Sequence, residues 1–387
     1  MKKLIGIILV VCVILNISNI SFASQENIKD FTIKFVENSL SDFSNEENIM
    51  VDNISNEEVL NFIKDKNQIT DLKQTESGRT WKLSSMKLDE FDVKELENGT
   101  YDVAASFVVE FLDGDTPSSY MPRYRMIIEN VDANYFVKAA MSDDLGSVSL
   151  VDPLIKTDTF DFPLEYQLDD IKMMNSKNSI DTPYDLSKSK ASLENLYNEI
   201  KNDNNSSSTL QNIQRASNFR YFSATDLANM KRYQDNHYNH INPNFYNFHN
   251  LGGNCTNYVS QVLYAGGATQ NTRASSGIAG TNYWFYRTSN DRSSSWTGVD
   301  EFRTFVLNNN TKGPMGYLVN RFSDLRTGSV IQFKTSNSRG IYGHSVIVYN
   351  QGGDPYVTSN SPFVSGYYST LFGGPENLKI RIDGYYQ

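Results

Sequence analysis

The stretch "GGNCTNYVSQVLYAGG", residues 252–267, sets one cysteine between two glycine pairs and directly after an asparagine. Asparagine is a favoured N-cap, so a helix is expected to begin at Cys255. Tyr258, Val259, Val262 and Leu263 follow the cysteine at i+3, i+4, i+7 and i+8, the spacing of one buried helix face. Gly266 and Gly267 then end the helix, glycine accepting the left-handed cap. A thiol in a first turn meets unpaired N–H groups and the positive end of the helix dipole, and both favour thiolate. A nucleophilic cysteine needs that environment together with a base. The competing reading is a small buried side chain that does no chemistry.

The base has to come from four histidines. His237, His240 and His249 lie upstream in polar surroundings. His237 and His240 share a helix face at i, i+3, but no carboxylate or cysteine completes a metal set with His249, and no metal or other cofactor is expected. His344 is different, because "YGHSVIVYN" (342–350) has the period of a strand. Its alternation puts His344, Val346 and Val348 on one face and Ser345, Ile347 and Tyr349 on the other. A histidine at the mouth of a packed sheet is expected to meet a helix N-terminus lying across that sheet. An imidazole acting as base needs an acceptor on its second nitrogen. A hairpin across "NQGGD" (350–354) would return Asn360 to the end of the sheet where His344 lies, whereas Asp354 would sit in the turn at the far end.

The remaining composition bounds the setting. The chain opens "MKKLIGIILVVCVILNISNISFAS", with two lysines, a short apolar run and a small-residue site ending at Ala23, the layout of a secretory signal peptide over residues 1–23. Cys12 would leave with it, so Cys255 would be the one thiol of a secreted chain. The 387 residues carry a formal charge of −10, and loss of Lys2 and Lys3 makes it −12. An acidic chain without a basic run is not expected to bind nucleic acid, nor a membrane once the signal is removed.

The sequence divides into segments of different period. Residues 24 to about 75 read as helices, with a capping box at Ser55 and Glu58, and strand-like runs follow at 81–96, 99–112, 123–132 and 134–144. Together they predict an α+β domain over 24–155, a cone-like antiparallel sheet crossed by a helix, with an accessory role. Residues 156–215 read as an amphipathic helix on Leu193, Leu196, Tyr197 and Ile200, followed by the polar linker "NDNNSSS". A boundary is expected near 205, with 206–387 able to fold alone. The last segment, 216–387, holds all the histidines and ends in strand-like runs.

Five motifs of that last segment, "NCTNYVSQVLYAGG", "SSSWTGVDEF", "GSVIQF", "GHSVIVY" and "YVTSN", together resemble the amidase domain family of Gram-positive bacteria, which is related to papain-like cell-wall cysteine hydrolases. The resemblance spans about 217–387. It implies a small antiparallel sheet packed on the cysteine-bearing helix, with Cys255 as nucleophile, His344 as base and Asn360 as the orienting third residue. It also implies a secreted amide hydrolase working on peptidoglycan through a thioester. The Cys255 N–H, helped by the Asn254 side chain, would hold the oxyanion. The family usually has aspartate where this chain has Asn254, and often histidine where it has Asn360. Trp284, Tyr286 and Trp296 are candidate walls for a substrate groove, core packing being the alternative. The rival function is a non-catalytic wall- or partner-binding protein on an inactive hydrolase scaffold.

Overall fold

Helical and strand periods separate cleanly in the first half of the chain. The computed structural model describes residues 22–41, 53–96, 99–142, 144, 155–156, 186–204, 215, 217–251, 253–334, 342–360 and 363–387. The expected signal segment, except its last two residues, and the expected boundary near 205 lie outside these. Helix α1 (Phe22–Ser41) buries Ile28, Phe31, Phe35, Val36 and Leu40. Helix α2 (Glu57–Ser77) is capped by Asn56, whose side chain accepts the Glu58 N–H at 2.8 Å, not by the expected Ser55 box. Gly78 closes it in the left-handed conformation, at φ 67°.

Six strands follow: β1 (Trp81–Glu95), β2 (Thr100–Asp113), β3 (Thr116–Tyr120), β4 (Arg123–Val131), β5 (Asn134–Ser142) and β6 (Ile155–Lys156). Strand β2 is the spine. It pairs with β1 along nearly its whole length, with β4 over its first half and with β3 over its second. Strand β3 was not expected, since "TPSSY" has neither apolar alternation nor a proline-free run.

After α3 (Leu186–Asn204) come β7 (Phe219–Tyr221), α4 (Ala224–His237) and α5 (Cys255–Ala265). Ser223 and Asp226 form a capping box at the start of α4. Helix α4 lies so close to α5 that a Cβ on Gly266 would come within 2.3 Å of Met230. Strands β8 (Tyr286–Thr288) and β9 (Asp291–Arg292) form a small separate ribbon before α6 (Ser294–Thr297) and α7 (Val299–Asn308). The chain ends with β10 (Gly313–Val319), β11 (Val330–Lys334), β12 (Tyr342–Asn350), β13 (Tyr356–Asn360), β14 (Phe363–Tyr367), α8 (Tyr368–Leu371) and β15 (Asn377–Tyr386).

The fold is α+β, built on one large antiparallel sheet. Among the described residues it has 13 strands, in the order β10-β15-β11-β12-β13-β14-β3-β2-β4-β5-β6, with β1 added on β2 and β7 on β15. The two halves of the chain meet where β14 pairs with β3, at Val364 with Tyr120 and Ser365 with Ser119. On one face, Ile331, Phe333, Val346, Val348, Val357 and Val364 merge with the buried residues of α1, α2, α3 and the first half of the sheet. On the other face, α4, α5 and α7 cover Val330, Ile347, Ile380 and Ile382. Full burial of Val259, Val262 and Leu263 on α5 contributes about 1.5–3 kcal/mol each. Among the described residues, no helix is long and apolar enough to cross a membrane.

Candidate active site

Cys255 opens α5 as expected, and its side chain is only 4% exposed. Burial is the largest influence on the thiol and pushes its pKa up. Opposing it, the backbone N–H groups of Ser345, Thr256 and Cys255 and the Thr256 hydroxyl are turned toward the sulfur. The sulfur thus lies between the start of α5 and strand β12, and the donors there only partly offset its burial. The Thr256 hydroxyl lies 3.8 Å from Sγ and 3.2 Å from the Ser345 hydroxyl. Gln332 on β11 donates to that same Ser345 hydroxyl at 3.2 Å and to the Val299 carbonyl at 2.8 Å. One turn along α5, the Tyr258 hydroxyl meets Thr358 at 3.0 Å, and Thr358 donates to Gln234 of α4 at 2.7 Å. Ser345, Gln332 and Thr358 escaped the sequence reading. For Gln332 and Ser345 the signal was there, as polar residues beside apolar neighbours in "VIQF" and "SVIV"; the polar "YVTSN" around Thr358 gave none.

His344 is not paired with Cys255. Strand register sets Gln332 opposite Ser345 and Phe333 opposite His344. Helix α5 packs on the Ser345 face, so the imidazole points to the opposite face of β12. There its ring lies 5.0 Å from Phe333 and 6.1 Å from Phe372, and Nε2 is 3.4 Å from the Ser359 hydroxyl. Complete burial holds its pKa down at about 3, so the ring is neutral. Among the described residues no hydrogen bond joins Cys255 to His344. The alternation read from the sequence was correct; the face chosen by the helix was not.

The same parity moves Asn360. The β12–β13 hairpin does return it to the end of the sheet where His344 begins, but Ser359, not Asn360, shares the histidine's face. Asn360 lies on the helix face instead. Its Oδ1 accepts the Asn254 amide at 2.8 Å, and its Nδ2 donates to the carbonyls of His237 at 2.7 Å and His240 at 3.3 Å. Asn254 occupies the N-cap position without capping the helix backbone by its side chain. Its Oδ1 accepts from Asn257 at 2.7 Å and from the Phe248 N–H at 3.3 Å. With its amide committed to Asn360, Asn254 is not a free oxyanion donor.

Trp284 and Trp296 are fully buried and line no groove. Their indoles lie 4.7 Å apart, tilted by 35°, and their N–H groups donate to Ser260 at 3.1 Å and Asn257 at 2.9 Å, both on α5. They brace the cysteine helix from behind. Tyr286 is partly buried against them and accepts the Tyr246 N–H at 2.8 Å. The upstream histidines scatter: the His237 ring packs 4.4 Å from Tyr233, and His249 stacks on Phe363 at 6.4 Å. Among the described residues no three His, Cys, Asp or Glu side chains gather as a metal site.

Residues 224–369 match the family model described as "Putative amidase domain". The segment is thus similar to an amidase domain over somewhat more than a third of the chain. The chain is also similar to "Uncharacterized protein YhbB" of Bacillus subtilis (strain 168), 30% identical over 138 residues. The similarity takes in 35% of this chain and 41% of that protein. No solved structure gives a significant match.

Proposed function

We propose that residues 224–369 form a secreted cysteine amide hydrolase that cleaves an amide or peptide bond of peptidoglycan through a thioester on Cys255. The observation that carries this reading is the place of Cys255 as the first residue of α5, with the Thr256 hydroxyl 3.8 Å from its sulfur. N–H groups fixed by a helix and a strand stabilise a thiolate, and later the oxyanion of the tetrahedral intermediate. His344 is the general base: it takes the thiol proton, gives it to the leaving amine, and then activates water to release the acid. To do so it has to leave its pocket between Phe333 and Phe372. The slip in register opposite Gly343, between Phe333 and Lys334, supports that step, because a bulge can re-aim the adjoining side chain to the other face.

Burial of both Cys255 and His344 favours a second reading, a wall-binding protein that performs no hydrolysis. The test uses purified peptidoglycan and the mature chain, with release of new amino groups as the readout. Hydrolysis lost in both Cys255→Ala and His344→Ala supports the enzyme. Co-sedimentation with the wall and no release from any preparation supports the binding protein.

A further inference from the structure

A groove of about 500 Å³ lies at the joint where β14 pairs with β3, away from Cys255. Three half-buried tyrosines shape it: Tyr238 at the end of α4, Tyr349 near the end of β12 and Tyr356 at the start of β13. Their rings are held in place. The Tyr238 hydroxyl accepts from Ser119 at 3.0 Å, Tyr356 donates to the Pro117 carbonyl at 2.6 Å, and the Tyr349 and Tyr356 rings stand 5.7 Å apart at 60°. Two exposed carboxylates, Glu110 and Asp235, flank the rings, and the rest of the lining is mainly serine and threonine hydroxyl. No lysine, arginine or histidine lines it among the described residues.

We infer that this groove binds a neutral oligosaccharide, with the tyrosine rings against the C–H faces of the sugar rings and Glu110 and Asp235 accepting from sugar hydroxyls. Each alternative ligand fails on one feature of the lining. A phosphate, sulfate or uronate would meet two exposed carboxylates, and the nearby Lys231 ammonium is already engaged by the Asn350 side chain and the Tyr349 ring. A purely apolar ligand would strip water from the exposed Glu110 and Asp235 carboxylates without giving them a donor. A cationic peptide would meet the like charge of Lys231, whose ammonium already lies over the Tyr349 ring at 5.0 Å. Rigid rings lose little freedom on binding, and the volume is that of a small-ligand site.

The groove shares supporting elements with the cysteine site. The Tyr238 carbonyl is a further acceptor of the Asn360 amide, at 3.4 Å. Along β12, Tyr349 stands four residues from Ser345, about 13 Å of extended strand. Sugar binding does not rest on hydrolysis at Cys255; only the further idea that the bound sugar is part of the substrate rests on the proposed function.

The test is calorimetric titration of the mature chain with two neutral probes, the β-1,4-linked tetramers of N-acetylglucosamine and of glucose. Trilysine and trigalacturonate serve as charged probes. The expected result is binding of at least one neutral tetramer, weakened tenfold or more in both Tyr349→Ala and Asp235→Asn, and unchanged in Cys255→Ser. Asp235 is exposed, so its variant keeps the test valid should Tyr349→Ala fold poorly. Binding of neither neutral tetramer, binding of trilysine in their place, or affinity indifferent to both groove variants would overturn the inference. Sugar binding without any hydrolysis would leave this site standing and sink the enzyme.

Discussion

Asn254 and Asn360 close the mouth of the sheet, the amide of the first donating to the carbonyl oxygen of the second at 2.8 Å. This bond ties the residue before the cysteine to the last residue of β13. Through the Asn360 amide it also holds the chain that leaves α4. Both side chains are buried, so each would be stranded without the other.

Asn360→Ala should therefore cost stability. It leaves the Asn254 amide and the His237 carbonyl without their partners, for a loss of about 1–3 kcal/mol. Urea denaturation measures it. An Asn360 that served only to orient His344 would leave the denaturation midpoint in place and lower the rate alone.

His344 gives a pH dependence whose sign is fixed by burial. Its pKa falls from the ordinary 6.5 to about 3 on folding. Above 6.5 neither folded nor unfolded chain binds the proton, and the contribution is fully present. As pH falls from 6.5 toward 3 the unfolded chain takes up a proton that the folded chain refuses, so stability drops by at most about 1.4 kcal/mol per pH unit. His344→Phe, whose ring suits a pocket of Phe333 and Phe372, should fold and should lose less stability than the native chain over that range. Parallel curves for the two proteins would refute the burial of a neutral imidazole.

How much of this was legible depended on parity. The cysteine helix, its buried face and its glycine end were readable because their spacing is local. So were the strands around Ile331, Val346 and Val357, and the alternation along each. Which face of the sheet the helix would cover was not readable. That choice is made by contacts between residues far apart in the chain, such as Thr256 with Ser345 and Tyr258 with Thr358. One step of parity then decided whether His344 or Ser345, and Asn360 or Ser359, faced the cysteine. Strand β14 pairs along its whole length with β13, but its "FVSGY" has a glycine and a serine and no clean apolar alternation, while its link to β3 joins segments more than 240 residues apart.

Trp296→Phe separates bracing from substrate contact. The change removes the donor to Asn257 and leaves a buried carbonyl oxygen one partner short, for about 1–3 kcal/mol. Thermal unfolding should register that loss. KM for a wall substrate should stay the same, whereas a groove residue would raise it.

The shared core makes a prediction about truncation. A 206–387 fragment, which the polar linker alone would suggest is independent, loses α3 and with it the Glu199 partner of Lys379 and the Asp203 partner of the Phe322 N–H. It also loses the Asp113–Arg79–Asp354 bridge, with contacts of 2.8 Å on both sides. An apolar face including Phe322, Phe333, Val348 and Phe372 would be left open to water. The fragment should aggregate or bind a hydrophobic dye, and a soluble fragment with one cooperative transition would show that the two halves are separable.

Alkylation of Cys255 tests the proposed chemistry most directly. The reactive species is the thiolate, and a pKa pushed up by burial means less of it at neutral pH. Iodoacetamide should label the resting protein slowly, with an apparent pKa above the ~8.5 of a free thiol, and quickly once denaturant is added. The curve for His344→Phe should overlay the native one, because the two side chains lie on opposite faces of β12. Fast labelling with a pKa below that of a free thiol, abolished in His344→Phe, would mean something else. The imidazole would then spend much of its time on the thiol's side of the strand, and the turn at Gly343 that hydrolysis requires would already be made before substrate arrives.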